Sequence, residues 1–478
     1  MSDPVIIVGG GPTGLMLACE LGLAGVESVV LERLAVPPEW SRSMTLQARS
    51  VEAFRQRGLN WFEGRTRVPT YNFGLVELIG IVDDDQVALL VPQREVEDRL
   101  AERAVELGVD VRREHRLTGL AQDETGVTVT VGSPSGEYSL RGVYLVGCDG
   151  GGSTTRKLAE IEFVGGEAPF TFNGLTGDAS LIDREGDRVG PDLHPTGMYA
   201  HLPVAPGVHR ATVLEFGARP PEGDPPVTTE EFRDSALRVA GVDLNFGEQN
   251  ILSRFGGATL LAADYRKGRV FLAGDAAHVH MPFGGQGLNT GVQDAVNLGW
   301  KLAAAVLGWA PPGLLDTYHE ERHPVGEWLC RNTLAQVALL HPLEQVGPLR
   351  ELLAELLRYE EVSQYVVGLI SALGLQYPVP YPGEHPLLGR RLPDSGADDG
   401  ALRAGRGVLI DFTGSSPTED LAGWTERVTP VSAPLVAAVD ATRVLVRPDG
   451  YVVWADAAEP DVPGLHGALR TWFGEPVA

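Results

Sequence analysis

The chain has 478 residues, 64 acidic against 39 lysines and arginines, for a formal net charge of −25 and a pI near 4.8. That length predicts two or three domains, and that charge excludes nucleic acid and anionic membrane surfaces as partners, since both would repel it. Three scattered cysteines (Cys19, Cys148, Cys330) exclude a disulfide framework or dithiol pair; with no long apolar span and no signal-peptide pattern, the expectation is a cytoplasmic enzyme, monomer or homodimer.

Val5 to Val8 form a short apolar run, hence a buried strand. Gly9-Gly10-Gly11-Pro12-Thr13-Gly14 then satisfies GxGxxG, and Leu15 to Leu23 continue in helix-forming residues. Strand, glycine turn and helix follow in the order that a dinucleotide fingerprint requires. Gly9 permits the tight turn, Gly11 lets the backbone approach a pyrophosphate, and Gly14 lets helix and strand pack closely. Pro12 and Thr13 complete the turn, and the helix start turns N–H groups and the positive end of its dipole toward the phosphates. A second strand, Val29-Val30-Leu31, ends in Glu32 and Arg33; Glu32 is 18 residues beyond Gly14, placed to accept hydrogen bonds from an adenosine ribose. By itself this turn leaves NAD and FAD both open.

Tyr144 to Gly147 is another strand, and it runs into Asp149-Gly150, a turn that opens a helix. Cys148 beside it reads as a small buried hydrophobe. Residues 163–262 carry strand-like runs such as HRATVLEFG and the proline-rich ARPPEGDPPVTTEEF, which predict an antiparallel sheet walling a cavity. Phe170, Phe172, Met198, Tyr199 and Phe216 either line that cavity or belong to ordinary sheet core; Phe232 and Phe246 read as plain packing.

Arg269 to Ala273 is another buried strand, ending in Gly274-Asp275. Gly284-Gly285-Gln286-Gly287 follows and opens a helix, with Leu288 and Asn289 in its first turn. Asp275 at a strand end can accept hydrogen bonds from the hydroxyls of a ribityl chain. The helix start near Gly287 points backbone donors at the O2/N1 side of an isoalloxazine, where reduced flavin carries negative charge. One turn for a pyrophosphate and another for a flavin ring make the cofactor FAD. His278 and His280 share a face at i, i+2, but no third ligand stands at suitable spacing, so no metal is expected. From Leu314 to Leu375 leucines and valines recur at threes and fours, predicting helices. Residues 377–400 are rich in turn formers and read as a linker. Beyond them GRGVLIDFTG and TRVLVRPDGYVVWAD read as strands, the latter folded around Pro448-Asp449-Gly450.

Together these motifs resemble the group A flavin-dependent aromatic hydroxylases, the para-hydroxybenzoate hydroxylase-like class, and most closely its aromatic polyketide monooxygenase branch. The resemblance rests on GxGxxG at Gly9–Gly14, DGxxSxxR at Asp149–Arg156, and Gly274-Asp275 inside FLAGDAAHVHMPFGGQGLNTGVQDAVNLGWKLA. It implies an α/β fold: a Rossmann-type FAD-binding domain interleaved with an antiparallel-sheet substrate domain, plus a C-terminal thioredoxin-like domain without redox cysteines. The expected boundaries are 1–162 (FAD-binding, first part, with cavity segments near 61–92), 163–262 (substrate sheet), 263–376 (FAD-binding, second part, and helices), 377–400 (linker) and 401–478 (thioredoxin-like).

The resemblance also implies NAD(P)H as co-substrate and FAD contacts from Arg42 and Gln93, Arg42 being otherwise a solvated surface charge. Asp149 falls in the motif linked to FAD and NAD(P)H use. Pro282, Gly284 and Gly285 would set their backbone at the reactive flavin edge, and no side-chain base is assigned. The implied reaction consumes NAD(P)H and O2 and hydroxylates a polycyclic aromatic polyketide, in antibiotic biosynthesis, through a flavin C4a-hydroperoxide. A Baeyer–Villiger or ring-opening oxygenase stays open, and a non-catalytic flavin- or intermediate-binding protein is the reading from another class. A flavin-dependent halogenase is disfavoured, since none of the eight tryptophans forms WxW. Two departures from the branch stand out: Met281 and Phe283 flank Pro282, and the stretch from Trp61 to Gln93 is short.

Overall fold

The computed structural model describes residues 3–477 apart from 39, 42, 69–70, 79–85, 182–189, 206, 224, 247–251, 381–384, 394–399, 437–438 and 457–460. Its central sheet has six strands in the order Arg266–Lys267, Val270–Leu272, Tyr144–Gly147, Val5–Val8, Ser28–Glu32, Asp110–Arg113. All neighbours pair parallel except the outermost, Arg266–Lys267. Strands of a parallel sheet are covered on both faces and so read as unbroken apolar runs; Val5, Ile6 and Ile7 have no exposed surface. Helix Pro12–Leu23 packs against Gln93–Glu106 and Gly287–Val306, which brings the start of the chain beside residues nearly 300 positions later.

The second sheet is antiparallel, in the order Gly190–His194, Gly197–Ala205, Val208–Phe216, Phe172–Leu181, Leu244–Asn245, with Leu252–Phe255 also paired to Phe172–Leu181. Its pleat sorts the side chains by face. Leu175, Tyr199 and Val213 pack with Phe232 of helix Thr229–Ala240, whereas Phe172, Met198 and Leu214 pack with Met281 and Phe283. Of the two readings open for Tyr199, ordinary sheet core is therefore the one the pleat selects. Phe232 and Phe246 face each other in the same helix-side core, with ring centroids 5.4 Å apart.

At the C-terminus four strands run in the order Val428–Ser432, Gly407–Asp411, Arg443–Val446, Val452–Asp456, the first pair parallel and the others antiparallel. Asp461 caps the closing helix Val462–Phe473 by accepting from Gly464 N–H. Within the stretch read as a linker, Leu387, Leu388 and Leu392 pack on Leu402 and Val408. They are apolar and find a core to enter, so the chain joins the C-terminal domain before residue 401. Trp472 and Phe473 in turn pack on Trp300 and Ala304 of helix Gly287–Val306.

Candidate active site

Gly9 adopts φ +107°, and a Cβ there would stand 2.3 Å from the Cys148 carbonyl oxygen. A Cβ on Gly14 would stand 2.0 Å from the Gly9 oxygen, so strand and helix approach as closely as backbone allows. Gly11 is different: a Cβ there meets nothing within 4 Å. Gly11 caps helix Pro12–Leu23, and among the described residues no side chain satisfies the helix's first amides. Open space in front of unsatisfied N–H groups is what a pyrophosphate requires. Glu32 accepts from Gly10 N–H at 2.7 Å and Leu34 N–H at 2.8 Å, fixing the end of the second strand against the turn. Arg33 beside it is exposed.

The two glycine turns touch through Thr13. Its Oγ1 would lie 2.7 Å from a Cβ on Gly274 and 2.3 Å from one on Gly291. Gly274–Ala276 forms a single 3-10 turn after strand Val270–Leu272, leaving Asp275 exposed. Asp275 Oδ1 lies 3.9 Å from a Cβ built on Gly287, at the start of a helix that no side chain among the described residues caps. Pro282, with Gly284 (φ +74°) and Gly285 (φ +61°), carries the loop into that helix; Leu288 and Asn289 form its first turn. The loop is splinted by residues 45–47. Gln47 donates its N–H to Asn289 Oδ1 at 2.8 Å and its Nε2 to Gly284 O at 2.6 Å. Asn289 Nδ2 donates to Thr45 O at 3.0 Å and Gly285 O at 2.7 Å.

Beneath the loop lies a buried charge cluster. Asp294 accepts from Gly274 N–H at 2.9 Å, His278 Nε2 at 2.8 Å and Arg322 Nε at 2.7 Å. Burial alone would raise its carboxyl, but Arg322 and then His278 outweigh that and hold it at about 2. Arg322 also donates to Tyr377 Oη at 2.8 Å. His280 turns elsewhere: its Nδ1 is 2.7 Å from Met281 O, and burial lowers the ring to about 4, so it is neutral near pH 7. The two histidines thus take separate partners.

Further along the same helix a second cluster joins the C-terminal domain. Lys301 Nζ donates to Glu321 Oε2 at 2.8 Å and to Asn297 Oδ1 at 2.9 Å. Arg447 reaches Glu321 Oε1 at 2.6 Å and Asp449 Oδ1 at 3.0 Å. Arg49 donates to the Asp449 carbonyl at 2.6 Å. The Pro448-Asp449-Gly450 hairpin turn is therefore a plug in the FAD-binding core.

Asp149 accepts from Ser153 Oγ at 2.5 Å, Thr154 N–H at 2.7 Å and Thr155 N–H at 3.0 Å, at the start of helix Thr154–Leu158, whose N-cap is Ser153. Arg156 ties that turn to the Gly274 turn by donating to Ala276 O and Gly151 O, each at 2.9 Å. Gln93 donates to Glu97 Oε1 at 2.7 Å at the start of helix Gln93–Glu106. Arg42 lies outside the described residues. Burial pushes the Cys148 thiol well up, leaving it protonated near pH 7.

Met281 and Phe283, which depart from the expected pattern, pack on the sheet face carrying Phe172, Met198 and Leu214 and on Val337 and Leu340. Phe170, Phe216, Phe255 and Leu75 join them and keep part of their surface uncovered. A half-covered apolar wall beside the 282–287 loop suits a flat hydrophobic molecule. Thr45, Gln47, Asp294 and Arg322 were not singled out from sequence. A signal existed for Asp294: with Asn297 and Lys301 it recurs at i, i+3 and i+7 in a stretch, Asp294 to Val306, that holds no other polar side chain but the Trp300 indole, a polar stripe inside a core.

Residues 2–333 match the family described as an FAD binding domain, and residues 385–476 match the aromatic-ring hydroxylase C-terminal domain. The chain is 46% identical to a 12-dehydrotetracycline 5-monooxygenase/anhydrotetracycline 6-monooxygenase of Streptomyces rimosus, covering 100% of both chains. It is 43% identical to a dialkyldecalin synthase of Streptomyces rugosporus, over 99% of each. Among solved structures it is similar to CabE, an aromatic hydroxylase from angucycline biosynthesis, with a TM-score of 0.91, 40% identity and full coverage of both chains.

Proposed function

The chain belongs to the FAD-dependent aromatic-ring hydroxylases, and on that premise we propose that it hydroxylates a polycyclic aromatic polyketide, using NAD(P)H and O2. The observation that carries this reading is the juxtaposition of the apolar wall, through Met281 and Phe283, with the loop that opens helix Gly287–Val306. When bound, FAD accepts reducing equivalents from NAD(P)H and activates O2 for transfer of one oxygen atom to the substrate ring.

The chain's own groups do the holding and shaping. Gly11 and the first amides of helix Pro12–Leu23 receive the pyrophosphate, Glu32 the adenosine ribose, and Asp275 the ribityl hydroxyls. The start of helix Gly287–Val306 offers amides and a positive dipole end to the anionic pole of the reduced ring. Pro282, Gly284 and Gly285 present backbone rather than side chains at the reacting edge, which leaves room for a substrate. The apolar wall excludes water and orients the flat ring.

Anhydrotetracycline, named for a relative 46% identical, is a fused-ring phenol that fits this class and serves as a probe. Purified protein should be yellow, anhydrotetracycline should accelerate NAD(P)H oxidation, and one atom of labelled O2 should enter the product. Labelled oxygen found in a lactone ring would instead assign a Baeyer–Villiger reaction. The dialkyldecalin synthase relative supports a second reading, ring formation without net oxidation. Product formed without NAD(P)H consumption would establish that reading and remove the first.

A further inference from the structure

Two successive carbonyls of the glycine loop are held by side chains, and both holds lead back to one distant hairpin. The hairpin is Asn72–Phe73 paired with Val76–Glu77, turned on Gly74 (φ +56°) and Leu75 (φ +63°). Positive φ at both central residues is what a type I′ turn demands, and it is uncommon for a branched residue such as leucine. Arg350 donates to Gly74 O at 2.5 Å, Leu75 O at 3.3 Å and Leu339 O at 3.0 Å, clamping the turn to the end of helix Asp316–Ala338. The Leu75 side chain joins the apolar wall with Met281 and Phe283.

From that turn a chain of buried amides runs to the loop. Gly74 N–H donates to Gln336 Oε1 at 3.2 Å, Gln336 Nε2 to Asn332 Oδ1 at 3.1 Å, Asn332 Nδ2 to Gln286 Oε1 at 3.0 Å, and Gln286 Nε2 to Phe283 O at 3.0 Å. Its two ends are backbone, a donor at Gly74 and an acceptor at Phe283. The direction of every amide between them is thereby fixed, because flipping any one sets N–H against N–H and oxygen against oxygen. All three side chains are buried, where such a chain polarises link by link and a broken link is costly. A shorter relay runs alongside. Gln47 Nε2 donates to Gly284 O at 2.6 Å, which turns its Oε1 toward the Tyr71 hydroxyl, 2.9 Å away. That hydroxyl also stands 2.8 Å from Gln86 O. Tyr71 directly precedes Asn72, the first residue of the hairpin.

We propose that Gln286, Asn332 and Gln336 in one relay, and Gln47 with Tyr71 in the other, are positioning residues, through which the hairpin sets the Phe283 and Gly284 carbonyls of the flavin loop. The inference rests on the reading above that this loop meets the reacting edge of the flavin. A carbonyl oxygen left free beside a reduced, anionic ring repels it, whereas one that accepts from an amide has its charge offset by that donor. Gly284 and Gly285 give the loop no side chains with which to fix its own peptides, so their orientation is supplied from outside. Leu75 belongs to the wall and Gly74 begins the longer relay. Wall and loop are thereby set as one unit.

The test uses FAD-loaded protein without substrate and reads the midpoint potential and visible spectrum of the bound flavin. N332L removes the middle link alone, leaving Gln336 on Gly74 and Gln286 beside Phe283. Y71F removes one hydroxyl and leaves the Gln47 amide free to turn. Each should disfavour the reduced flavin roughly tenfold, a potential lower by about 30 mV for a two-electron couple, and shift the absorption band with FAD content retained. Q336M cuts the longer relay one link earlier and stands in if N332L does not fold. P282G alters the loop itself, outside both relays, and serves as the control. Wild-type potentials in the relay variants, with a shifted potential in P282G, would overturn the relays and leave the loop reading intact. A shift in one relay's variant alone would overturn the other relay. No shift in any variant, P282G included, would remove the loop reading and the proposal with it.

Discussion

The two glycine turns of the site are held in different ways. The first, Gly9 to Gly14, is backbone against backbone: Gly9 N–H donates to Leu31 O at 2.8 Å, and Cys148 N–H donates to Val8 O at 2.7 Å. Among the described residues its only side-chain hydrogen-bond partner is Glu32, from the next strand. The second, Gly274 to Asn289, is assembled from distant pieces: Thr13, Thr45, Gln47, Asp294 and Arg322. A turn made of contiguous backbone depends on the absence of a Cβ. A turn assembled across the fold depends on a buried carboxylate with nearly all its lone pairs spoken for.

The largest expected effect would come from Asp294→Ala. It strands the Arg322 guanidinium in the core, a loss that costs about 3–5 kcal/mol for a buried pair. The Tm should fall sharply and FAD should be lost along with the Gly274 turn; a variant melting like wild type would show that the charge cluster does not hold the second turn. Acid should expose the same dependence more gently. The Asp294 carboxyl sits at about 2 when folded against an ordinary 3.8, so the folded state favours the carboxylate. Its contribution is complete above pH ~4 and disappears as the pH falls toward ~2, amounting to about 2 kcal/mol. Denaturant titrations across that range should show a shallower loss in Asp294→Asn than in wild type.

At the first turn the contrast is between two glycines. Gly14→Ala places a methyl 2.0 Å from the Gly9 oxygen and should cost roughly 1–3 kcal/mol, as overpacking does. Gly11→Ala should leave the Tm almost unchanged, because its φ of −80° is ordinary and its Cβ direction is open. FAD affinity should nevertheless drop by roughly tenfold, about 1.4 kcal/mol, measured by flavin fluorescence. If Gly11→Ala keeps full affinity, the open space in front of the helix is not the pyrophosphate cradle. Asp275→Ala should have the smallest effect, a weaker hold on FAD in an otherwise stable protein; full FAD loading would remove its assignment to the ribityl chain.

Strands and glycine turns were legible because each is written in consecutive residues. Val5–Val8, Tyr144–Gly147 and the strand ahead of Gly274 are apolar runs that pack into the core, and the helices begin inside the first motif, at Pro12, and on the last glycine of the second, at Gly287. The pocket was less legible. Phe172 and Tyr199 look equivalent in sequence, yet the pleat and the strand register send them to opposite faces. Asp149 sits in a motif associated with the cofactor, while in the fold its carboxylate accepts from the first two amides of a short helix that Ser153 caps.

By itself the sequence determined the backbone pieces of the site: where strands end, where glycine opens space, and which helix starts lack a capping side chain. Those features follow from local sterics and short-range hydrogen bonding, which act within a few residues. Only the tertiary structure decided which side chains meet: Thr13 with Gly291, Gln47 with Gly284, Asp294 with Arg322, and the Asp449 turn with helix Gly287–Val306. Burial of charge and packing of rings depend on distance in space, and separations of up to 400 residues, as between Arg49 and Asp449, leave no trace in local pattern.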